Sequence, residues 1–487
     1  MGKVLGHLEP KLVWNYFEEI CQYPRPSKKE EKIAEYVFSV GKKLGLQTEK
    51  DKFGNILIRK PATKGKENLK TVVLQSHIDM VCEKNRGVEH DFDNDPIQPF
   101  VDGDWVKAKG TTLGADNGIG VAASLAVLEA NDIEHGPIEA LFTLDEETGL
   151  TGANRLKKGW LKADILINMD SEEIGILYIG CAGGKDTIAK LKAKLEKAPK
   201  NYSAFEINVM GLKGGHSGID ILLGRGNAIK ILNRVIWGYS ENNILRLASI
   251  NGGSKHNAIP REAFAVVAVP KKDEKKLKKF VKKFNDEVKP EYKSVEPDLN
   301  VSIQKHEMPD KFIGEKVQRN LINALYSAPH GVIKMSNDIP GLVETSTNLA
   351  VVETVGKNIN IVTSQRSSVE SERVDMTNMV TSVFNLAGGS VTYNDGYPGW
   401  KPDVDSDILK VFKSTYKNIY GKEPEVAAIH AGLECGIIKE KYPDMDMISF
   451  GPTMIGVHSP DEKLQISTVP EFYKQLVNVL KNIPSKN

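Results

Sequence analysis

A change of texture in the middle of the chain limits its fold more than any other feature. Residues 1–170 alternate helix-like and strand-like runs. An amphipathic helix is expected over 28–45, opened by a capping box from Ser27 to Glu30, and an apolar helix over Gly118–Glu129. Short strands are expected at Asn55–Ile58, Val72–Gln75, Ile138–Leu144 and Ile165–Asn168. That alternation predicts an α/β fold, a mostly parallel sheet with helices on both faces, whose ligands collect at the carboxyl ends of the strands. The same texture returns after about residue 400, with helices near 406–419 and 470–483 and apolar runs at 425–429 and 446–450. Between them, strands at 205–210, 244–250, 262–269, 346–353 and 358–365 lie closer together. Helices fall at 219–237, 273–286, 315–327 and 369–386. The simplest arrangement is one α/β domain made of residues 1–182 and 396–487, with a two-part α+β domain inserted at 183–395.

Composition agrees with a folded protein of two or three domains. Of 487 residues, 40% are hydrophobic and 26% charged, which excludes disorder, collagen and coiled coil as the main architecture. The net charge of +1 leaves no overall field to attract nucleic acid or an anionic membrane and favours a small or neutral partner. The one strong basic run, Lys271–Lys283, reads as the solvated face of an amphipathic helix with Leu277, Phe280 and Val281 inward. No stretch reaches the roughly 18 to 20 apolar residues of a membrane span. The first residues, Met1 to His7, carry neither an apolar run nor the Ser or Thr that myristoylation wants at position 6. Cys21, Cys82, Cys181 and Cys435 are scattered with no CxxC pair, so a reducing, cytoplasmic setting is expected.

Four clusters of acidic or histidine residues follow apolar strand candidates, and a fifth opens a helix. In SHIDM, His77 and Asp79 are two residues apart, so on an extended chain they share a side. Asp79 can then hold one imidazole nitrogen while the other binds a metal. In GADNG, Asp116 stands at the entry to the apolar helix, where an N-cap is an equally good explanation. In DEETG, the consecutive carboxylates Asp145, Glu146 and Glu147 end a strand and repel one another, which a cation relieves. Asp170 follows the strand Ile165–Asn168, and His458 lies in GVHSPDE after MISF. Each has an ordinary explanation as turn or cap. Their joint occurrence at the ends of separate strands points to metal binding.

Together, SHIDM, GADNG, DEETG, NMDSEE and GVHSPDE resemble the dinuclear zinc exopeptidase superfamily of aminoacylases, carboxypeptidases and dipeptidases. GLKGGHSGIDI, KHNAIPREA, TSQRSS and AIHAGLECG extend the likeness to its dipeptidase branch. The resemblance implies a phosphorylase/hydrolase-like catalytic domain with a mostly parallel mixed sheet and the insertion as a lid. It implies two Zn²⁺ per subunit, replaceable by Co²⁺ or Mn²⁺, with His77 and Asp170 on one, Glu147 and His458 on the other, and Asp116 bridging. It further implies Glu146 as general base, Asp79 as the partner that orients His77, and His216 as the donor to the oxyanion. Asn257 and Arg366 become ligands for the substrate's terminal carboxylate. The expected substrates are small unblocked dipeptides, Xaa-His among them, with no nucleic acid or membrane partner and homodimerisation left open. His430 and Glu434 lie in a segment that resembles one near the substrate, with no role assigned.

Three other functions are compatible with parts of this pattern: another exopeptidase or aminoacylase of the superfamily, an inactive binding protein of the same fold, and a two-metal phosphohydrolase. The long insertion speaks against short-lid aminoacylases. The intact Glu146 and the full ligand set speak against an inactive protein, and the scarcity of basic residues in the motifs against a phosphohydrolase.

Overall fold

The strand Val72–His77 is buried along its whole length, which only a strand covered on both faces of a sheet can be. It occupies the middle of an eight-stranded sheet. The order is Gln47–Lys50, Ile56–Lys60, Ile138–Thr143, Val72–His77, Ile165–Asn168, Asp446–Ser449, Ile176–Cys181 and Glu425–Ile429. The four central strands, from Ile138–Thr143 to Asp446–Ser449, run parallel, while Ile56–Lys60 and Ile176–Cys181 flank them antiparallel. Their carboxyl ends therefore lie along one edge of the sheet. The computed structural model describes residues 4–486, so Met1 to Lys3, part of the segment read for targeting signals, lie outside the described residues.

Two compact units are present. The first comprises residues 1–180, 402–428 and 433–487, and the second residues 181–401 with 429–432. The second segment of the α/β unit begins at 402 and not at 396, because Tyr397 and Trp400 bridge back to Gly184 and Cys181 of the second unit.

In the first unit the helix Ala115–Glu129 is apolar on nearly every side and packs against helix Lys11–Ile20 and strand Val72–His77. The helix expected from residue 28 begins at Glu31. No capping box forms, since Lys28 takes a φ of 69° and the two capping side chains are used elsewhere. Ser27 Oγ donates to Asp79 Oδ2 (2.8 Å), and Glu30 Oε1 accepts from the backbone of Lys28 (2.8 Å) and Asp145 (3.0 Å).

The second unit is built on one antiparallel sheet of nine strands around its own core of aliphatic and aromatic side chains. Its two halves join where Gly252 of strand Arg246–Gly252 faces Val352 of strand Val343–Val355. The helix expected over 219–237 is shorter. Residues Ile221–Leu223 form a 3₁₀ turn, Gly224 at φ 65° ends it, and the α-helix Ala228–Ser240 starts at an Asn227 cap that accepts from Lys230 N (3.1 Å). In the lysine-rich helix Glu274–Tyr292, Leu277 and Val281 are buried. Among the described residues no helix is long and apolar enough to cross a membrane.

Candidate metal centre

Parallel strands bring the clusters to one edge of the first unit's sheet. His77 is the last residue of its strand, Glu146 and Glu147 open a short helix after Ile138–Thr143, and Asp170 follows Ile165–Asn168. Asp116 comes in at the irregular first turn of helix Ala115–Glu129, and His458 on a loop. Asp116 is not the helix cap its position allowed. It has an extended ψ of 111° inside the first turn, with Gly114 as the capping residue.

The side chains form two groups that share one carboxylate. His77, Asp116 and Asp170 are one, and Asp116, Glu147 and His458 the other; within each group the candidate ligand atoms lie within 4.8 Å of one another. His77 Nε2 is 3.0 Å from Asp116 Oδ1 and 3.2 Å from Asp170 Oδ1. His458 Nε2 is 3.2 Å from Asp116 Oδ2 and 2.9 Å from Glu147 Oε2. Asp116 thus offers one oxygen to each group. Nitrogen and carboxylate donors in threes, with other positions open, suit divalent metals. Each group can hold a metal ion, and the buried Glu147 Oε1, which has no hydrogen-bond partner, fits that use.

Electrostatics say the same. Burial, helped by the neighbouring Asp116 and Glu147 and opposed by His77, pushes the Asp170 carboxyl up to about 7. Burial works against ionised Asp116 too, but hydrogen bonds from His458 and His77 outweigh it and hold its carboxyl below the usual range. Hydrogen bonds to Asp116 and Glu147 raise His458 to about 11. Protons on the histidines thus occupy the place of cations between these acids.

The surrounding residues orient the candidate ligands. His77 Nδ1 is 3.2 Å from Asp79 Oδ1, and Asp79 also accepts the backbone N–H of Glu146 (3.0 Å) and Glu147 (3.2 Å). Asn117 Nδ2 donates to Asp170 Oδ1 (2.5 Å) and to Met169 O (2.7 Å). Of the three consecutive acids, Asp145 is held by the Thr148 and Thr151 hydroxyls. Burial raises Glu146 well above the ordinary glutamate value, with Asp170, Glu434 and Glu147 acting in the same direction. Glu434 is buried and accepts from Gln75 Nε2 (2.7 Å) and Thr143 Oγ1 (2.6 Å), with its carboxyl pushed by burial to about 7.

His216, Asn257, Arg366 and His430 belong to the second unit and cluster there. Ser217 N donates to Asn257 O (2.9 Å), and strand Gly215–His216 pairs with Ala258–Ile259. The backbone N–H groups of Gly218 and Ile219 donate to His216 Nδ1 (both 3.2 Å), so the proton of a neutral ring sits on Nε2. Burial, and then the charge of Arg366, lower His216 to about 4. Arg366 faces Ser346 across the sheet, and Ser346 Oγ pairs with His430 Nε2 at 2.7 Å. Arg366 Nη1 donates to Tyr397 Oη (2.7 Å), a partner that sequence reasoning missed because a Tyr in a Pro-Gly turn carries no signal of its own. Glu462 and Arg25, also missed, bond the backbone around Asp116. Glu462 stands inside GVHSPDE, but the motif does not say what it touches.

Comparison with known proteins shows which family the chain belongs to. The chain is 46% identical over 482 residues, 99% of each protein, to the cytosol non-specific dipeptidase of Escherichia coli K12. The crystal structure of aminoacylhistidine dipeptidase from Vibrio alginolyticus matches it with a TM-score of 0.94 at 46% identity, covering 99% of both chains. The aminopeptidase PepT of Bacillus cereus, at a TM-score of 0.58 and 17% identity over 98% of this chain and all (100%) of its own, shares the fold. The model of peptidase family M20/M25/M40 matches residues 73–483, which carry every residue of both candidate metal-binding groups, and the chain belongs to that family.

Proposed function

We propose that the protein is a cytoplasmic metallo-dipeptidase that hydrolyses unblocked dipeptides, Xaa-His among them, with two zinc ions. His77 and Asp170 hold one, Glu147 and His458 the other, and Asp116 bridges them. Co²⁺ or Mn²⁺ fits the same donors. The observation that carries this reading is the pair of three-residue groups sharing Asp116, in a chain so similar along its length to two dipeptidases. Bound metals of this kind polarise a scissile carbonyl and lower the pKa of water towards 7.

The protein's own residues do the rest. Glu146, with its carboxyl raised by burial, takes the proton of the attacking water and returns it to the departing amine. Asp79 accepts His77 Nδ1–H and so fixes which nitrogen faces the metal. His216, neutral at pH 7 with its proton on Nε2, donates to the carbonyl oxygen as negative charge develops on it. Asn257 and the planar fork of Arg366 take the substrate's terminal carboxylate, which makes a free carboxylate a requirement.

A kinetic panel on metal-reconstituted protein tests this. Ala-Ala and β-alanyl-histidine should be cleaved, and N-acetyl amino acids and phosphate esters should not. Preference for N-acetyl substrates would move the assignment to the aminoacylases. Glu146→Ala should keep its metal and lose about 10²–10⁴-fold in kcat. Near wild-type turnover with metal bound would end the general-base role.

A further inference from the structure

The turn that presents Asp116 is gripped from both sides by buried charged side chains that hold its backbone. Glu462, 2% exposed, accepts four consecutive backbone N–H groups: Leu113 (2.7 Å) and Gly114 (2.9 Å) on Oε2, Ala115 (2.8 Å) and Asp116 (3.3 Å) on Oε1. Arg25, also 2% exposed, donates through Nη1 to the carbonyl oxygens of Asp79 (2.9 Å) and Ile78 (3.3 Å), and through Nη2 to that of Gly114. A single residue, Gly114, thus gives its N–H to the acid and its C=O to the base. The residue must be glycine, for its φ is 69° and a Cβ there would stand 2.4 Å from Arg25 Nη2 and 2.8 Å from Met80 Sδ.

These contacts join three stretches of chain that each carry candidate metal ligands. Arg25 ties the residues just after His77 to the Asp116 turn. Glu462 ties that turn to the loop of His458, four residues earlier, and its own N–H closes the loop onto Ser459 O at 3.0 Å. An ordinary helix cap meets one or two of the free N–H groups at a helix start. Here a carboxylate from the far end of the chain meets four, including that of Asp116 itself.

We propose that Arg25 and Glu462 are positioning residues that hold Asp116 and His458 in their metal-binding arrangement before a metal arrives. The inference rests on the metal-binding reading above. Glu462→Gln has the same shape but leaves only one oxygen to accept, and its NH₂ faces two N–H groups. The expected result is metal affinity weakened about 10–100-fold, measured by chelator competition on metal-free protein, with an altered visible spectrum of the Co²⁺-loaded form. Arg25→Lys keeps the charge but loses the fork across the carbonyl groups and should weaken binding in the same direction. If the metal-free variants melt early yet bind metal as wild type does, the pair supports the fold alone and the proposal is wrong. The same holds if neither variant folds. Failure of wild-type protein to bind metal would instead overturn the metal-binding reading itself.

Discussion

Arg366 is 6% exposed, yet Nε is buried without a hydrogen-bond partner, and Nη1 is satisfied by a tyrosine hydroxyl. A buried guanidinium with unused donors is costly unless a ligand completes it, and a carboxylate does so in two parallel hydrogen bonds. Arg366→Ala should therefore raise KM for dipeptides about 10–100-fold with a smaller change in kcat. An unchanged KM would refute the carboxylate role. His430 gives a pH test. Burial, then Arg366, lower it to about 3, against an unfolded value near 6.5. As pH falls through 6.5 the unfolded chain takes up the proton first, so stability falls between pH 6.5 and 3, by at most about 1.4 kcal/mol per pH unit for this one group. His430→Asn should flatten that slope in denaturant titrations from pH 6.5 to 4; an identical slope would show that His430 titrates normally. At this scale the residues that the structure brings together as candidate metal ligands were legible in the sequence, since each carboxylate or histidine follows an apolar run or opens an apolar helix. Tyr397, Arg25 and Glu462 were not, because they act on a guanidinium or on backbone groups far away in the chain.

Among the elements, the helix Ala115–Glu129 sets two rules against each other. Its Gly120 is interior, where Ala is ordinarily better by up to about 1 kcal/mol. A Cβ at Gly120 would meet Asn117 Oδ1 at 2.3 Å, the Met169 carbonyl oxygen at 2.8 Å and Ser76 Oγ at 3.0 Å. The Met169 oxygen belongs to the backbone that leads into Asp170 and cannot simply swing away. Close approach therefore outweighs propensity. Gly120→Ala should destabilise the metal-free protein by about 1–3 kcal/mol in denaturant and weaken metal binding by displacing Asn117 from Asp170. A stabilised variant would mean that the helix shifts freely. The same competition explains where the sequence misled. Ser27 and Glu30 have the spacing of a capping box, but the acceptor Asp79 and the donor N–H of Asp145 offer them stronger uses in a part of the chain that local pattern cannot see. The central strands were legible because burial on both faces leaves continuous apolar runs, whereas the start of Ala228–Ser240 was missed because the apolar Ile221–Leu223 resembles a first helical turn, although residues 224–227 separate it from the helix.

For the whole molecule, the spacing of the candidate ligands has a thermodynamic consequence. They run from residue 77 to residue 458, so only the folded first unit brings them together, and metal binding becomes folding free energy. Each tenfold rise in free metal above the dissociation constant should add about 1.4 kcal/mol to the stability of that unit. The second unit contains none of these residues and has a separate core of its own. Calorimetry should then resolve a metal-dependent and a metal-independent transition, and chelation should lower only the first. His458→Ala removes the one candidate ligand supplied by the second segment of the α/β unit and should shrink the metal-dependent shift, leaving the other transition in place. If both transitions moved together with metal, the two units would unfold as one body. If neither moved, the ligands would not be gathered by folding in the way the shared Asp116 requires.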